Sequence, residues 1–323
     1  MGDTVRVQTN ANVALVKYWG KADEEANLPA TGSLSISLAA LTTTTLITRA
    51  KPGLRDQISL NGESSGPGVD RISSFLDRGR QIYPFMGPVK VESTNDFPTG
   101  AGLASSASGF AALAIGSNAL FDMGLDGSDV SRLARLGSGS AARSVFGGFV
   151  AIELEGDGAA KPIEVDPNKW PLTVFIAVTD SAEKSVGSTD AMRRTADSSP
   201  FYQSWVDRHP ADMAEALRSI EASDFDGLAN VSVRSCLNMH ATIMGSSPPI
   251  FYWNPGTLVV VQTVERWREE GRRVFYTIDA GPQVKVVCHR DDAHQCRDEL
   301  HSLSGVRTVI ESGIGGEPAV QWR

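Results

Sequence analysis

The chain has little of what ties a protein to a membrane, to nucleic acid or to an oxidising compartment. Its 323 residues include only three cysteines (Cys236, Cys288 and Cys296), too few and too scattered for a disulfide framework. No apolar run approaches about 18 residues, and the first residues lack the apolar stretch of a secretory signal. The formal net charge of −8 provides no basic face for nucleic acid or for an anionic membrane. We therefore expect a cytoplasmic protein with a small-molecule partner and neither nucleic acid nor membrane as partner.

Several common catalytic signatures are also missing. No Gly-Lys-Ser/Thr closes a Walker A loop, and no Gly-x-Ser-x-Gly marks a serine hydrolase. Ser181 and Lys184 match a Ser-x-x-Lys pattern, but the Lys-Thr-Gly and Ser-Asp-Asn motifs that accompany it elsewhere are absent. The segment from Cys288 to Cys296 has the wrong spacing for structural zinc, so we predict no protein metal site there.

A glycine- and serine-rich stretch stands out instead, over residues 95–109. It precedes an apolar run at residues 110–123 with helical spacing. A glycine loop that enters a helix directs free backbone N–H groups and hydroxyls at one point, where an anion binds. The alternative is a tight turn into a buried helix.

The pattern of apolar residues and turn residues predicts an α+β protein. Predicted strands cover residues 4–9, 33–48, 89–93, 146–154, 172–179, 273–279, 283–289 and 307–311. Predicted helices cover residues 69–83, 110–123, 128–135 (with Ser128 as N-cap), 201–222, 224–243, 256–270 and 291–303. A stretch rich in Gly, Asp and Pro at residues 155–171 suggests two domains, residues 1–170 and 171–323.

Three further patches have possible chemistry. Lys17, Tyr18 and Lys21 could clamp a polyanion or could form a solvated edge. Residues 138–143 combine hydroxyls with Arg143, which suits an anion cradle or a capped helix end. Asp279 follows a strand and could be a base with a raised pKa, or could simply start a turn. Together with the glycine loop, these patches fit small-molecule phosphoryl transfer.

The motifs then become recognisable. Residues 98–107 resemble the phosphate loop of the galactokinase, homoserine, mevalonate and phosphomevalonate kinase superfamily. The resemblance narrows to the diphosphomevalonate decarboxylase family through the following motifs, in the family's order: Lys17-Tyr-Trp-Gly-Lys-x-Asp23, Ala101-Gly-Leu-Ala-Ser-Ser-Ala-Ser108, Gly137-Ser-Gly-Ser-Ala-x-Arg143, Gly147-Gly-Phe149, Met239-His-Ala241 and Asp279-Ala-Gly-Pro282.

The resemblance implies a fold and a reaction. The fold would be a ribosomal protein S5 domain 2-like N-terminal domain with the ATP loop, plus a ferredoxin-like C-terminal domain with added helices and the catalytic Asp. The reaction would convert (R)-5-diphosphomevalonate, ATP-dependently and through phosphorylation of its 3-hydroxyl, into isopentenyl diphosphate in the mevalonate pathway of isoprenoid biosynthesis. ATP and Mg²⁺ would be the cofactors, and a homodimer is expected.

The resemblance also implies residue roles. The catalytic residues would be Asp279, Arg143 and Lys17. The substrate would be bound by Asn12, Tyr18, Trp19, Gly20, Lys21, Arg71, Ser138, Gly139, Ser140, Ala141, Ala142, Arg143, Ser188 and Thr189. ATP would be bound by Gly100, Ala101, Gly102, Leu103, Ala104, Ser105, Ser106, Ser108 and Lys184.

The chain departs from the family pattern at Thr31-Gly32, Gly187 and Gly100. None of these positions removes a catalytic group, but Thr31-Gly32 leaves the choice of substrate open. Related readings are a phosphomevalonate decarboxylase and a mevalonate 3-kinase. A non-catalytic, metabolite-sensing member of the superfamily is the alternative of a different class.

Overall fold

The computed structural model describes residues 2–97, 105–153, 157–180, 182 and 184–323. Within these residues, the first half of the chain contains β1 (Thr4–Val16), β2 (Lys21–Asp23), β3 (Leu28–Pro29), β4 (Ser33–Arg49), β5 (Gln57–Leu60), α1 (Pro67–Ile82), β6 (Val89–Asn95), α2 (Ser105–Phe121), α3 (Gly127–Gly137), a 3₁₀ helix (Gly139–Val145), β7 (Phe149–Ile152) and β8 (Ala160–Ile163).

The second half follows the same mixed pattern. Its described elements are β9 (Leu172–Val178), α4 (Ser188–Ser198), α5 (Tyr202–Ala222), α6 (Phe225–Met244), α7 (Pro255–Glu269), β10 (Val274–Ile278), β11 (Val284–His289), a short 3₁₀ helix (Arg290–Asp292), α8 (Ala293–Ser302), β12 (Thr308–Ser312) and β13 (Ala319–Trp322). The predicted α+β class with two domains is confirmed. The predicted domain bounds, residues 1–170 and 171–323, stay a prediction.

Each half is built on a sheet. In the described part of the chain, the first sheet runs β13-β1-β4-β6-β5, with β7 pairing both β4 and β8. All of its pairings are antiparallel except that of β5 with β6. The second sheet runs β10-β11-β9-β12 and is antiparallel. Because β13 pairs with β1, the end of the chain returns to the first sheet.

Small residues allow α2 to lie close to the first sheet. A Cβ on Gly116 would come within 2.5 Å of Ile47 Cδ1 on β4, so a larger residue there would displace the buried Ile47 side chain. Ala107, Ala111 and Ala114 are fully buried in the same helix. The N-terminus of α2 is thereby fixed at the edge of the cleft between the two halves.

Several predicted element bounds need correction. The N-cap of α3 is Asp126, whose carboxylate accepts a hydrogen bond from Asp129 N at 2.8 Å, whereas Ser128 lies inside the helix. The predicted boundary stretch contains β8, because Ala160 and Ile163 pair with β7. The 3₁₀ helix, α4, β5 and β13 were not predicted, since they are short or polar and lack a periodic apolar pattern.

Candidate active site

A cavity of about 390 Å³ lies where β1, β10, α2 and the 3₁₀ helix meet. Most of the candidate residues from the sequence line it: Asn12, Lys17, Tyr18, Trp19, Lys21, Arg71, Ser105, Ser106, Ser138, Gly139, Ser140, Arg143, Lys184, Ser188, Thr189 and Asp279. Both halves of the chain therefore contribute to one polar cavity.

Asp279 directly follows β10 and lies between two lysines. Its Oδ1 accepts a hydrogen bond from Lys17 Nζ at 2.6 Å, and its Oδ2 is 3.1 Å from Lys285 Nζ. Both lysine side chains are almost completely buried, at 1% and 3% exposure. The carboxylate of Asp279 is thus the shared partner of both ammonium groups, and buried ammonium groups without a partner are strongly disfavoured.

These lysines overturn one expectation about Asp279. Burial alone would raise the pKa of its carboxyl group, but the opposing charges of Lys17 and Lys285 outweigh burial and hold the pKa well below its usual range. The predicted raised pKa is therefore wrong. Asp279 is an anion throughout the physiological pH range, which suits charge stabilisation and hydrogen-bond acceptance better than strong general-base chemistry.

Helix α6 fixes the two strand ends that carry this triad. Ser235 Oγ accepts a hydrogen bond from Lys17 N at 2.9 Å. The thiol of Cys236 accepts from Ile278 N at 3.2 Å, and His240 Nε2 lies 3.1 Å from Ile278 O. Since a carbonyl can only accept, Nε2 of His240 carries the proton. One helix face thus holds both Lys17 and the residue before Asp279.

His240 predicts a pH dependence of stability. Burial lowers its pKa to about 3, so it is neutral in the folded protein and charges near its ordinary pKa of about 6.5 when unfolded. The contribution of His240 to the free energy of unfolding is fully present above pH 6.5. It falls by about 1.4 kcal/mol per pH unit below pH 6.5. We expect His240→Gln to remove about 2 kcal/mol of the stability difference between pH 7 and pH 5, measured by urea unfolding. His294→Gln, at an exposed histidine of α8, is the matched control and should leave the difference unchanged.

Arg143 is buried without an acidic partner among the described residues. One guanidinium nitrogen donates to Ser33 Oγ at 2.5 Å and another to Asn12 Oδ1 at 3.2 Å, while Nε has no partner in the described part of the chain. Asn12 is held in turn by Ser144 Oγ and Ser140 O. Burial lowers the pKa of Arg143 to about 10, which leaves it charged at neutral pH. A buried, unneutralised guanidinium at a cavity wall is a site for a carboxylate or a phosphate.

Hydroxyl groups connect the start of α2 with the loop after α3. Ser106 Oγ is 3.3 Å from Ser138 Oγ, which is 3.1 Å from Ser140 Oγ. Arg71 donates to Gly137 O at 3.1 Å, and its guanidinium lies over the Phe110 ring. The two anion-binding patches predicted separately from the sequence are therefore contiguous.

Two more positions complete the wall. Tyr18 Oη is buried and has no hydrogen-bond partner among the described residues, and burial raises the pKa of its phenol. The Tyr18 ring fills the space where a Cβ on Gly139 would lie, so glycine is required there. Lys184 Nζ donates to Ser188 Oγ at 2.7 Å at the start of α4, and burial lowers the pKa of this lysine.

Four candidate residues do not present side chains to the cavity. The methyl groups of Ala141 and Ala142 are fully buried in hydrophobic clusters. Ser108 is fully buried, and its hydroxyl bonds to Thr43 at 2.6 Å. Gly20 has a φ of +102°, and Tyr202 Oη occupies the position of a Cβ there, so its role is conformational. The predicted ATP loop residues Gly100, Ala101, Gly102, Leu103 and Ala104 lie outside the described residues.

Sequence reasoning missed Lys285. A lysine between Val284 and Val286 in a solidly apolar strand is a signal of a buried ion pair, and it faces Asp279. The location of Thr31, where the chain departs from the family pattern, was also not predicted. Thr31 is fully buried, and its hydroxyl accepts from Trp19 N at 3.5 Å, behind the cavity wall. The Thr31 side chain therefore affects the cavity through its contact with Trp19.

No helix within the described residues is long and apolar enough to cross a membrane. Over the same residues, no three acidic, histidine or cysteine side chains are grouped so that they could hold a metal ion.

Comparison with known proteins gives the family. Residues 9–161 match the diphosphomevalonate decarboxylase-like N-terminal domain, and residues 174–320 match the mevalonate 5-diphosphate decarboxylase C-terminal domain. The diphosphomevalonate decarboxylase of Gibberella zeae is 37% identical, with 100% of this chain and 92% of that protein covered.

Solved structures agree with these matches. The mevalonate diphosphate decarboxylase of Staphylococcus aureus has a TM-score of 0.93 at 37% identity, covering 99% of this chain and 98% of that one. A structure described as MDDEF in complex with MVAPP, AMPPCP and magnesium has a TM-score of 0.92 at 35% identity, with both chains fully covered. This chain belongs to the diphosphomevalonate decarboxylase family.

Proposed function

We propose that the chain catalyses the ATP-dependent decarboxylation of (R)-5-diphosphomevalonate to isopentenyl diphosphate, ADP, phosphate and CO₂. The observation that carries the proposal is the buried guanidinium of Arg143, which has no acidic partner among the described residues and shares a cavity with the lysine-flanked Asp279. Arg143 supplies a place for the substrate carboxylate, and Asp279 a place for its 3-hydroxyl. Family membership supports the same reaction.

The chemistry requires both groups in one cavity. The γ-phosphoryl group of ATP passes to the 3-hydroxyl oxygen, which loses its proton and becomes a phosphate ester. The bond between the carboxyl carbon and C2 then breaks, and its electrons form the double bond as the C3–O bond breaks and phosphate leaves. A tertiary hydroxyl is a poor leaving group, whereas phosphate leaves readily, so phosphorylation must precede loss of CO₂.

Asp279 and Lys17 act on the phosphoryl-transfer step. Because phosphoryl transfer passes through a loose transition state, positioning and charge stabilisation matter more than early proton removal. An anionic Asp279 accepts the hydrogen bond of the 3-hydroxyl and orients its oxygen. Lys17, 2.6 Å from Asp279, stabilises negative charge on the transferring group.

The remaining residues divide between the two phosphorylated ligands. We assign Tyr18, Trp19, Lys21, Arg71, Ser138, Gly139, Ser140, Ser188 and Thr189 to diphosphomevalonate, with Asn12 orienting Arg143. We assign Ser105, Ser106 and Lys184, together with residues 100–104, to ATP. The contact between Ser106 and Ser138 supports this division, because it places the two sets side by side.

Mg²⁺ fits the donor set at the start of α2. This end of the cavity offers hydroxyl oxygens, and Mg²⁺ in phosphoryl-transfer sites takes few protein ligands beside phosphate oxygens and water. Ser105 and Ser106 would hold the ion together with the ATP phosphates. When bound, it neutralises phosphate charge and polarises the γ-phosphoryl group.

Gly139 tests the proposed substrate wall. In Gly139→Ala the new Cβ would lie 2.6 Å from Tyr18 Oη, so Tyr18 must move. We expect KM for diphosphomevalonate to rise about 10- to 100-fold, the usual cost of misplacing a substrate contact by about 1 Å. Gly313→Ala is the control, because its Cβ would meet nothing within 4 Å. Steady-state kinetics with equal KM in both variants would contradict the assignment.

Substrate identity is tested by supplying the pure protein with ATP, Mg²⁺ and each of mevalonate, its 5-phosphate and its 5-diphosphate. We expect isopentenyl diphosphate from the diphosphate as the dominant product. Isopentenyl phosphate as the main product would indicate a phosphomevalonate decarboxylase, and 3-phosphomevalonate would indicate a 3-kinase. Ligand binding without any turnover would indicate a sensor.

A homodimer is proposed as well, on the family resemblance alone, and a cytoplasmic location on the few and scattered cysteines. Light scattering of the purified chain checks the dimer and should give twice the mass of one chain.

A further inference from the structure

Lys285 is a charged residue that has no role in the chemistry proposed above. It lies on β11 between Val284 and Val286, is 2% exposed, and its ammonium group is 3.1 Å from Asp279 Oδ2. Among the described residues it is not part of the cavity wall, whereas Lys17 and Asp279 are. Burying a lysine is costly unless its charge is paired, and the position of Lys285 behind Asp279 provides that pairing.

The other ionisable groups around Asp279 differ from Lys285. Cys236 and His240 on α6 are neutral, because burial raises the pKa of the thiol and lowers the pKa of the imidazole to about 3. Arg143 on the 3₁₀ helix and Lys184 before α4 interact electrostatically with Asp279 at a distance, without a contact. Burial lowers the pKa of Lys285, and the negative charge of Asp279 opposes that shift. Among the described residues, Lys17 and Lys285 are therefore the cations in contact with the carboxylate, one on each oxygen.

We propose that Lys285 is a positioning residue for the reaction, which holds Asp279 through Oδ2 so that its anionic Oδ1 and Lys17 face the substrate hydroxyl. This inference rests on the proposed function. Lys17 lines the cavity and can interact with the transferring phosphoryl group. Lys285 stays behind the carboxylate and keeps it charged and oriented when Lys17 engages substrate.

A physical consequence separates this role from simple support of the fold. With Lys285 neutralised, Lys17 is the one described cation that remains in contact with the buried carboxylate, so the carboxyl pKa rises. A single opposite charge in contact lowers a carboxyl pKa by about 1–3 units, and its loss should reverse a shift of that size. The anionic fraction of Asp279 then falls as pH is lowered through the raised pKa, and activity falls with it.

The test compares Lys285→Met, which removes the charge at similar volume, with Lys285→Arg, which keeps it. Lys90→Met is the matched control, since Lys90 is also a strand lysine paired with a carboxylate, Glu92, but at an exposed position. For each protein, kcat and KM for both substrates are measured from pH 3 to pH 9, a range that includes the usual pKa of an aspartate, about 3.9. Thermal unfolding is recorded over the same range. A ¹³C-carboxyl NMR titration of Asp279 gives the charge state independently of activity.

We expect kcat of Lys285→Met to fall about 10- to 100-fold at pH 7, as for loss of a hydrogen-bonding partner that orients a reactive group from behind, with KM for ATP unchanged. Its kcat profile should gain an acid limb about 1–3 pH units above any limb of the wild type, and Lys285→Arg should keep the wild-type profile. An unchanged profile and NMR titration in Lys285→Met would overturn the proposal, even if kcat fell. If Lys285→Met does not fold, a shifted profile in Lys285→Arg would overturn it. A wild type without decarboxylase activity would instead refute the proposed function, and the NMR titration would still report on Lys285.

Discussion

Asp279→Asn should fold and lose at least about 10³-fold in kcat, because an amide cannot replace the anion that orients the hydroxyl. The structure also predicts that the Asp279→Asn variant is less stable than the wild type. Loss of the carboxylate leaves the buried ammonium groups of Lys17 and Lys285 without their anion. Breaking a buried ion pair in this way costs about 3–5 kcal/mol. Kinetics must therefore be measured well below the lowered melting temperature.

Asp56→Asn provides the matched control for this variant. Asp56 is a largely buried carboxylate that accepts two hydrogen bonds from Arg80, at 2.7 and 2.8 Å, away from the cavity. It should lose stability and keep kcat. Near-normal turnover in Asp279→Asn, or in Asp279→Ala, would refute the role given to Asp279. An equal loss of kcat in Asp56→Asn would show that destabilisation alone accounts for the effect.

Arg143→Met should abolish decarboxylation and spare nucleotide binding. The substrate carboxylate would enter a buried site without its cation, and loss of such a charged contact costs about 3–5 kcal/mol, or about 10²- to 10⁴-fold in kcat/KM. We expect Kd for an ATP analogue to change by less than about twofold, since Arg143 is assigned to the acid substrate. Steady-state kinetics and calorimetric titration of the analogue measure the two effects separately.

Arg135→Met is the matched control for Arg143. Arg135 is also a buried arginine, but it donates to the backbone carbonyls of Ala26 and Asp157 and does not line the cavity. It should lose stability while kcat/KM stays within a few-fold of the wild type. A selective loss of ATP-analogue affinity in Arg143→Met would contradict the assignment of Arg143 to the carboxylate.

Much of the architecture was predictable from local patterns. The alternating residues of β4 and the apolar runs of β9 and β10 gave strands close to their observed bounds, as did the turn around residues 280–282. Lys17, Arg143 and Asp279 were identified as candidate site residues from their chemistry and from the spacing of the motifs. The structure brings all three to one cavity, although they are more than 100 residues apart in the chain.

What escaped prediction depends on tertiary contacts. The low pKa of Asp279 comes from Lys17 and Lys285 together. The proximity of Lys285 to Asp279 follows from the pairing of β10 with β11, which the sequence pattern around Lys285 does not specify. Helix α6 was predicted, but its hydrogen bonds to Lys17 and Ile278 were not, because they span 218 and 38 residues of sequence. Ser108 was assigned to ATP by its motif, yet helical geometry turns its hydroxyl toward Thr43.

The most direct test of the account is a stoichiometry measured on the wild type. Diphosphomevalonate labelled in its carboxyl carbon is turned over with ATP and Mg²⁺, and released CO₂, ADP and phosphate are counted together. We predict that they appear in a 1:1:1 ratio with one isopentenyl diphosphate. Formation of ADP without labelled CO₂ would contradict the account, because the carboxylate would then not be held for cleavage in the cavity of Arg143 and Asp279.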